Sequence, residues 1–295
     1  EFLARAAVCA AGAVGVAPVA RASDPIGRTR PSHLKLSLAA YSYRQFLQGP
    51  GKSMDLFGFV DLAADMALDG VELTSYYFPA DVDADYLHRL KQHAFTLGLD
   101  VSGTSVGNTF RLPPGPDRDK QLKLVRTWMD NAAELDAPVI RIFGGGVPKG
   151  KTEDDAVGYC VECLEQSLPY AAEKGVALAI ENHGGITASA PQLLRLVKAV
   201  KAPAGSFGVN LDTGNFHGAD PYADLAELAP YALNVQVKTE ISPKGSKTQD
   251  ADLARLIAIL REARYSGYVV LEYEAKEDPR KAVPGIMKRL RELTR

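Results

Sequence analysis

Cysteine is scarce in this chain, with three residues in 295. That is too few for a disulfide scaffold. One of them, Cys9, falls in an N-terminal segment of distinct composition. Cys160 and Cys163 form a single C-x-x-C inside a helical pattern, with no second pair. Such spacing alone specifies neither zinc nor a thioredoxin-like motif, and helix packing explains it. Histidine is nearly as sparse, at five residues. Neither sign of charge dominates: 34 Lys and Arg stand against 36 Asp and Glu, a net charge of −2. There is no basic field to draw nucleic acid or an anionic membrane. No apolar run is long enough to span a bilayer comfortably. No G-x-G-x-x-G follows the first strand-like run, where "AAYSYRQF" stands instead. That argues against an open, doubly wound nucleotide-binding sheet. No internal linker or low-complexity stretch suggests a second domain.

What is present is ordinary globular composition, 46% hydrophobic and 24% charged. The first 22 residues differ. Arg5 precedes a small-residue apolar run over 6–20, which closes in Ala20-Arg21-Ala22, an A-x-A type site. This reads as an export signal, and "EFL" resembles the residues just after the arginine pair of twin-arginine signals. The expectation is an exported, periplasmic protein with a signal over 1–22, a linker over 23–33 and one catalytic domain over 34–295.

From residue 34 the chain alternates. Strand-like runs fall at 35–39, 70–73, 99–102, 139–143, 176–180, 208–211, 234–237 and 268–271. Between them, segments such as "DADYLHRLKQHAFTLG" carry apolar residues at helical spacing. Gly98, Gly175 and Gly267 mark helix ends. Eight strand–helix units imply a parallel sheet and fit an α/β fold, the (β/α)8 TIM barrel, as a single domain.

In such barrels the functional site lies at the C-terminal ends of the strands. Strands five to eight deliver Glu181, Asp212, Gln236 and Glu272 there, each one β/α repeat from the next. Three converging carboxylates repel unless positive charge sits among them. Three carboxylates and an amide carbonyl make an all-oxygen set suited to one hard divalent ion, Mg²⁺ or Mn²⁺.

The motifs "GVEL" (70–73), "IENHGG" (180–185), "NLDTGN" (210–215) and "LEYE" (271–274) resemble those of the xylose-isomerase-like TIM-barrel family of sugar isomerases and epimerases. The resemblance covers residues 34–290. It implies one divalent metal held by Glu181, Asp212, Gln236 and Glu272. Many relatives have His where Gln236 stands, although those similar to hydroxypyruvate isomerase carry Gln. It also implies that Glu181 and Glu272 act as acid and base through a metal-bound enediolate. Expected substrate-binding residues are His183, Lys238, Glu72, Asn215, His217, Tyr43 and Glu240. Lys238 is expected to pair with Glu240 or meet a substrate hydroxyl. Gly184-Gly185 can bend the chain to bring His183 into play, and Tyr41, Tyr76 and Tyr77 join Tyr43 as candidate sugar-stacking walls. The glycines of "RIFGGG" (141–146) are expected to let backbone approach the substrate, since no phosphate-binding signature comes after them.

The leading expectation is therefore a divalent-metal-dependent isomerase or epimerase of an unphosphorylated sugar or keto-sugar. A lyase or dehydratase acting on a keto-sugar or 3-keto-glycoside would share the same proton abstraction. A sugar-binding barrel without catalysis is a third reading. A zinc-dependent DNA-repair enzyme of the endonuclease IV type is disfavoured by the scarcity of His. No nucleic-acid or membrane partner is expected, and barrel relatives often form homo-oligomers.

Overall fold

The computed structural model describes residues 21–22 and 24–295. Eight parallel strands form a closed barrel: β1 (Leu34–Ala39), β2 (Gly70–Thr74), β3 (Asp100–Ser105), β4 (Val139–Ile142), β5 (Ala177–Glu181), β6 (Phe207–Asp212), β7 (Ala232–Val237) and β8 (Gly267–Leu271). They run in sequence order, and β8 closes on β1 by pairing residues 267–271 with 34–38. Around them lie α1 (Leu56–Asp65), α2 (Ala84–Thr96), α3 (Pro116–Glu134), α4 (Glu153–Glu173), α5 (Ala190–Ala199), α6 (Pro221–Leu228), α7 (Leu253–Glu262) and α8 (Pro279–Thr294). This is a single-domain (β/α)8 barrel. Among the described residues no helix is long and apolar enough to cross a membrane.

The strands read as near-continuous apolar runs because helices cover one face and the barrel interior the other. β2, β4 and β6 are buried along their whole length. A polar residue on such a strand needs an internal partner. Ser37 and Ser102, for example, lie 2.7 Å apart, hydroxyl to hydroxyl.

The helices begin where short acidic side chains can accept from free backbone N–H groups. Asp55, Asp83, Asp220, Asp252 and Asp278 do so for α1, α2, α6, α7 and α8. Thr152 and Asp155 form a reciprocal capping box at α4. Gly98 and Gly175 follow α2 and α4 at φ +77° and +70°, as expected of helix stops. Gly267 does not play that part. α7 ends five residues earlier, Arg264 takes the left-handed conformation at φ +52°, and Gly267 opens β8.

Cys160 and Cys163 are free thiols on the buried side of α4. Burial pushes the Cys163 thiol up to about 11 and raises Cys160 further. Both behave as packing residues. Trp128 is also buried, edge-on to Phe78 at a centroid distance of 5.1 Å.

The signal expected at 1–22 lies outside the described residues, except that Arg21–Ala22 pairs antiparallel with Lys201–Ala202. The segment expected to be a linker is tied down at Ile26 and Arg28. The Ile26 N–H donates to the Pro230 carbonyl at 2.9 Å. Arg28 donates to the carbonyls of Pro230 and Ala232 and lies over the Tyr265 ring. This strap crosses the N-terminal ends of β7 and β8, the end of the barrel opposite the polar strand termini.

Candidate active site

A strand places residues i, i+2 and i+4 on one face. On β7 and just beyond it, Asn234, Gln236 and Lys238 therefore form three successive inward layers. Asn210 and Asp212 do the same on β6. Glu181 and His183 share a face at the end of β5, as Glu272 and Glu274 do just past β8. The layers set the height at which each group meets its neighbours.

The lowest layer is a closed hydrogen-bond network. Asn234 donates to Glu72 at 2.8 Å and to the Asn210 carbonyl at 2.9 Å. Gln236 donates to the other Glu72 oxygen at 2.6 Å. Asn210 in turn donates to the Gln236 side-chain carbonyl (Oε1) at 2.7 Å and to Glu181 at 3.4 Å. Glu72 is fully enclosed, and burial together with the nearby Glu272 charge pushes its carboxyl up to about 7.

The upper layer opens into a cavity of about 240 Å³ at the C-terminal ends of the strands. Glu181, Glu272 and Glu274 line it with the cations Arg141 and Lys238. Asn215 and His183 complete its polar wall, and Tyr41, Tyr76 and Phe143 its aromatic one. Glu181 is bracketed: Arg141 Nε lies 3.0 Å from one oxygen, and Asn215 donates to the other at 3.0 Å. Burial raises the Glu181 carboxyl well above the usual carboxylate range, with Asp212 and Glu272 adding to the rise and Arg141 opposing it. Asp212 accepts from the Gly214 N–H at 2.8 Å, and burial pushes it up to about 7. Lys238 Nζ lies 2.6 Å from Glu272 and 3.4 Å from Asp212, and also pairs with Glu274. Burial opposes the Lys238 charge, but these carboxylates outweigh it and hold the ammonium protonated.

His183 lines the cavity against Phe143, ring centroids 4.4 Å apart. Burial and the facing cations Arg141 and Lys238 lower its pKa and favour the neutral ring.

Several expected site residues lie elsewhere. Gln236 does not join a ligand set, because both ends of its carboxamide are engaged by Asn210 and Glu72. Glu72 sits below the cavity, buried and outside its lining. Tyr43 is the last residue of a turn of 3-10 helix and donates to the Pro279 carbonyl at 3.2 Å, away from the cavity. Tyr77 is buried outside the lining, whereas Tyr41 and Tyr76 do wall it. His217 is exposed and bonds the Ser242 carbonyl at 3.2 Å. Glu240 borders a second cavity of about 240 Å³ that shares Asn215, Lys238 and Glu274 with the first, and it makes no ion pair with Lys238. The 144–146 glycines face another loop instead of the cavity. The Gly145 carbonyl accepts from Ile186 N–H at 3.0 Å, and a Cβ on Gly145 would fall 2.3 Å from Thr109 Oγ1. Glu274 is a site residue that sequence reasoning passes over. Its one signal is its position two residues beyond Glu272.

The four expected ligands do not fit a divalent ion as they stand. Asp212 and Glu272 face the Lys238 ammonium, Glu181 faces Arg141, and the Gln236 carbonyl is taken. Among the described residues, no group of three or more His, Cys, Asp or Glu is disposed to hold a metal.

The model of the xylose isomerase-like TIM barrel family matches residues 60–293. A mannonate dehydratase from Geobacillus thermodenitrificans is 23% identical over 170 residues, which span 50% of this chain and 44% of the dehydratase. Among solved structures, the D-psicose 3-epimerase of Clostridium cellulolyticum superposes with a TM-score of 0.67 at 17% identity, covering 86% of this chain and 89% of its own. The 3-keto-D-glucoside 4-epimerase of E. coli gives 0.65 at 16% identity, covering 88% and 98%.

Proposed function

The chain belongs to the xylose isomerase-like TIM barrel family, and from that premise we propose that it is a carbohydrate isomerase or epimerase that moves a proton on a carbon next to a carbonyl. One observation carries this reading. Two carboxylates from separate strands of the barrel, Glu181 and Glu272, line a single sugar-sized cavity together with two buried cations. One carboxylate takes the proton, and the C–H pair forms the enediolate double bond. For the isomer, the partner acid protonates the former carbonyl carbon. The hydroxyl on the deprotonated carbon gives up its proton to become the new carbonyl, and the old carbonyl oxygen takes one up. For the epimer, the partner acid returns a proton to the opposite face of the same carbon. The raised pKa of Glu181 suits a group that must take a proton and return it. Arg141 and Asn215 fix both of its oxygens, which holds it in one orientation. Tyr41, Tyr76 and Phe143 offer apolar faces to a sugar ring. The lack of a phosphate-binding signature in the sequence supports an unphosphorylated substrate, which accords with our proposal that the protein is exported.

Elimination is the second reading, favoured by the match to a mannonate dehydratase. The first step is the same. A hydroxyl on the next carbon then leaves as water with the proton of the partner acid.

The test is proton exchange in D₂O with a panel of ketoses, aldoses and 3-keto-glycosides, followed by NMR. Wild type should place deuterium beside the carbonyl, and Glu181→Gln and Glu272→Gln should each slow this by about 10²–10⁴-fold. Loss of water or of an aglycone selects the lyase. Sugar binding without exchange selects a binding protein, and exchange unaltered by either substitution removes the carboxylates from the mechanism.

A further inference from the structure

Lys238 stands where the sequence places a metal ion. Its Nζ lies 2.6 Å from Glu272 Oε2 and 3.4 Å from Asp212 Oδ2, and it pairs with Glu274. Asp212 Oδ2 is buried with no hydrogen-bond partner, so the ammonium is the charge it faces. The remaining expected ligands are turned to protein groups as well: Glu181 to Arg141, Gln236 to Asn210 and Glu72.

The chain is shaped to admit this lysine. A Cβ on Gly214 would fall 2.6 Å from Lys238 Cγ and 2.8 Å from its Cβ. Only a residue without a side chain leaves room for the stem. The Lys238 backbone N–H donates to Thr213 Oγ1 at 2.9 Å, and the Thr213 N–H donates to the backbone carbonyl of Gln236 at 2.9 Å. Both neighbours in the D-T-G run of strand six thus fix where the lysine enters. The ammonium and a divalent ion cannot share the space between Asp212 and Glu272, because like charges at that separation repel strongly away from bulk water.

We propose that Lys238 is the built-in cation of this site: it occupies the carboxylate cluster in place of a divalent ion and offers N–H to the substrate oxygen on which charge develops. This rests on the proton-transfer reading of the same cavity. In that step the carbonyl π pair moves onto oxygen as the carboxylate takes the proton. No electron leaves the substrate, and the oxygen charge is met by an ammonium already lining the cavity.

The test measures metal, not turnover. Full-length wild type, purified without chelators, is assayed for bound metals and then dialysed against millimolar Mn²⁺, with bound ion read by electron paramagnetic resonance. Wild type and Lys238→Arg should hold no stoichiometric metal. Lys238→Met and Lys238→Ala, which uncover Asp212 and Glu272, should take up about one Mn²⁺ per chain. One ion per wild-type chain overturns the proposal, and so do folded neutral variants that stay empty. If neither neutral variant folds, the wild-type measurement decides alone. A wild type free of metal but inactive in D₂O would fault the proton-transfer reading and leave the exclusion of metal standing.

Discussion

Glu72 shows what a single buried acid does at this depth. Its two oxygens accept from Asn234 and Gln236, yet among the described residues no cation pairs with it. Its pKa therefore rises to about 7 from an ordinary value of 4.5, chiefly through burial. Folding then favours the protonated form. Between pH 4.5 and 7 the unfolded chain has released this proton while the folded chain keeps it, so stability falls as pH rises through that window and levels off above it. Asp212, also pushed up to about 7, acts in the same direction. Glu72 alone is worth roughly 3 kcal/mol across the window. Glu72→Gln should flatten the slope of melting temperature against pH by that share and leave a residual slope from Asp212 and Glu181, whose carboxyls burial also raises. An unchanged slope would mean that Glu72 is ionised in the folded protein. Arg141 is the opposite case, a guanidinium 4% exposed that meets Glu181 on one side and the Phe143 ring on the other.

Strand register and loop course separate what could be read from sequence from what could not. Strand ends were legible because the β/α repeat returns an acid or amide to the same place in strands five to eight, and Glu181 and Glu272 do reach one cavity. Gln236 falls below the cavity that Lys238 lines because height along the barrel axis depends on register. The pairing slips between Val71 and Glu72 and again between Val209 and Asn210, and no local pattern announces either shift. Tyr43 departs from expectation because the chain leaves β1 in a tight 3-10 turn, which sends Tyr41 to the cavity and turns Tyr43 to Phe46, Phe59 and the Pro279 carbonyl. At the loop after β5, Gly185 has φ +57°, and a Cβ there would meet the Gly145 carbonyl oxygen at 2.3 Å. Gly184 is also left-handed, at φ +73°, but faces open space. Gly185→Ala should force this loop off its neighbour, lower stability by about 1–3 kcal/mol, and slow exchange about 10²-fold by shifting His183. Gly184→Ala carries only backbone strain and should do much less. Equal effects of the two would show that strain, not the clash, governs the loop.

Across the whole molecule, the two ends of the barrel do different work. The C-terminal end carries the cavity, and the N-terminal end carries the strap over residues 24–33. Arg28 joins that strap to the start of β7 through two carbonyls and covers Tyr265. Arg28→Ala should lower unfolding free energy by about 1–3 kcal/mol in urea while leaving deuterium exchange unchanged. A matching fall in exchange would mean that strain passes through the barrel from one end to the other.

Barrel closure has a kinetic corollary. β8 is the last strand made, and it pairs with the first. Glu272 comes one residue after it, so one of the two acids is absent from every shorter chain. Until β8 docks, β1 and β7 both expose unpaired edges, which invite association with other chains. Contacts between residues so far apart in sequence form slowly. A nascent chain therefore passes through a long interval in which it is sticky and its cavity unfinished, and it completes the cavity and loses its open edges together.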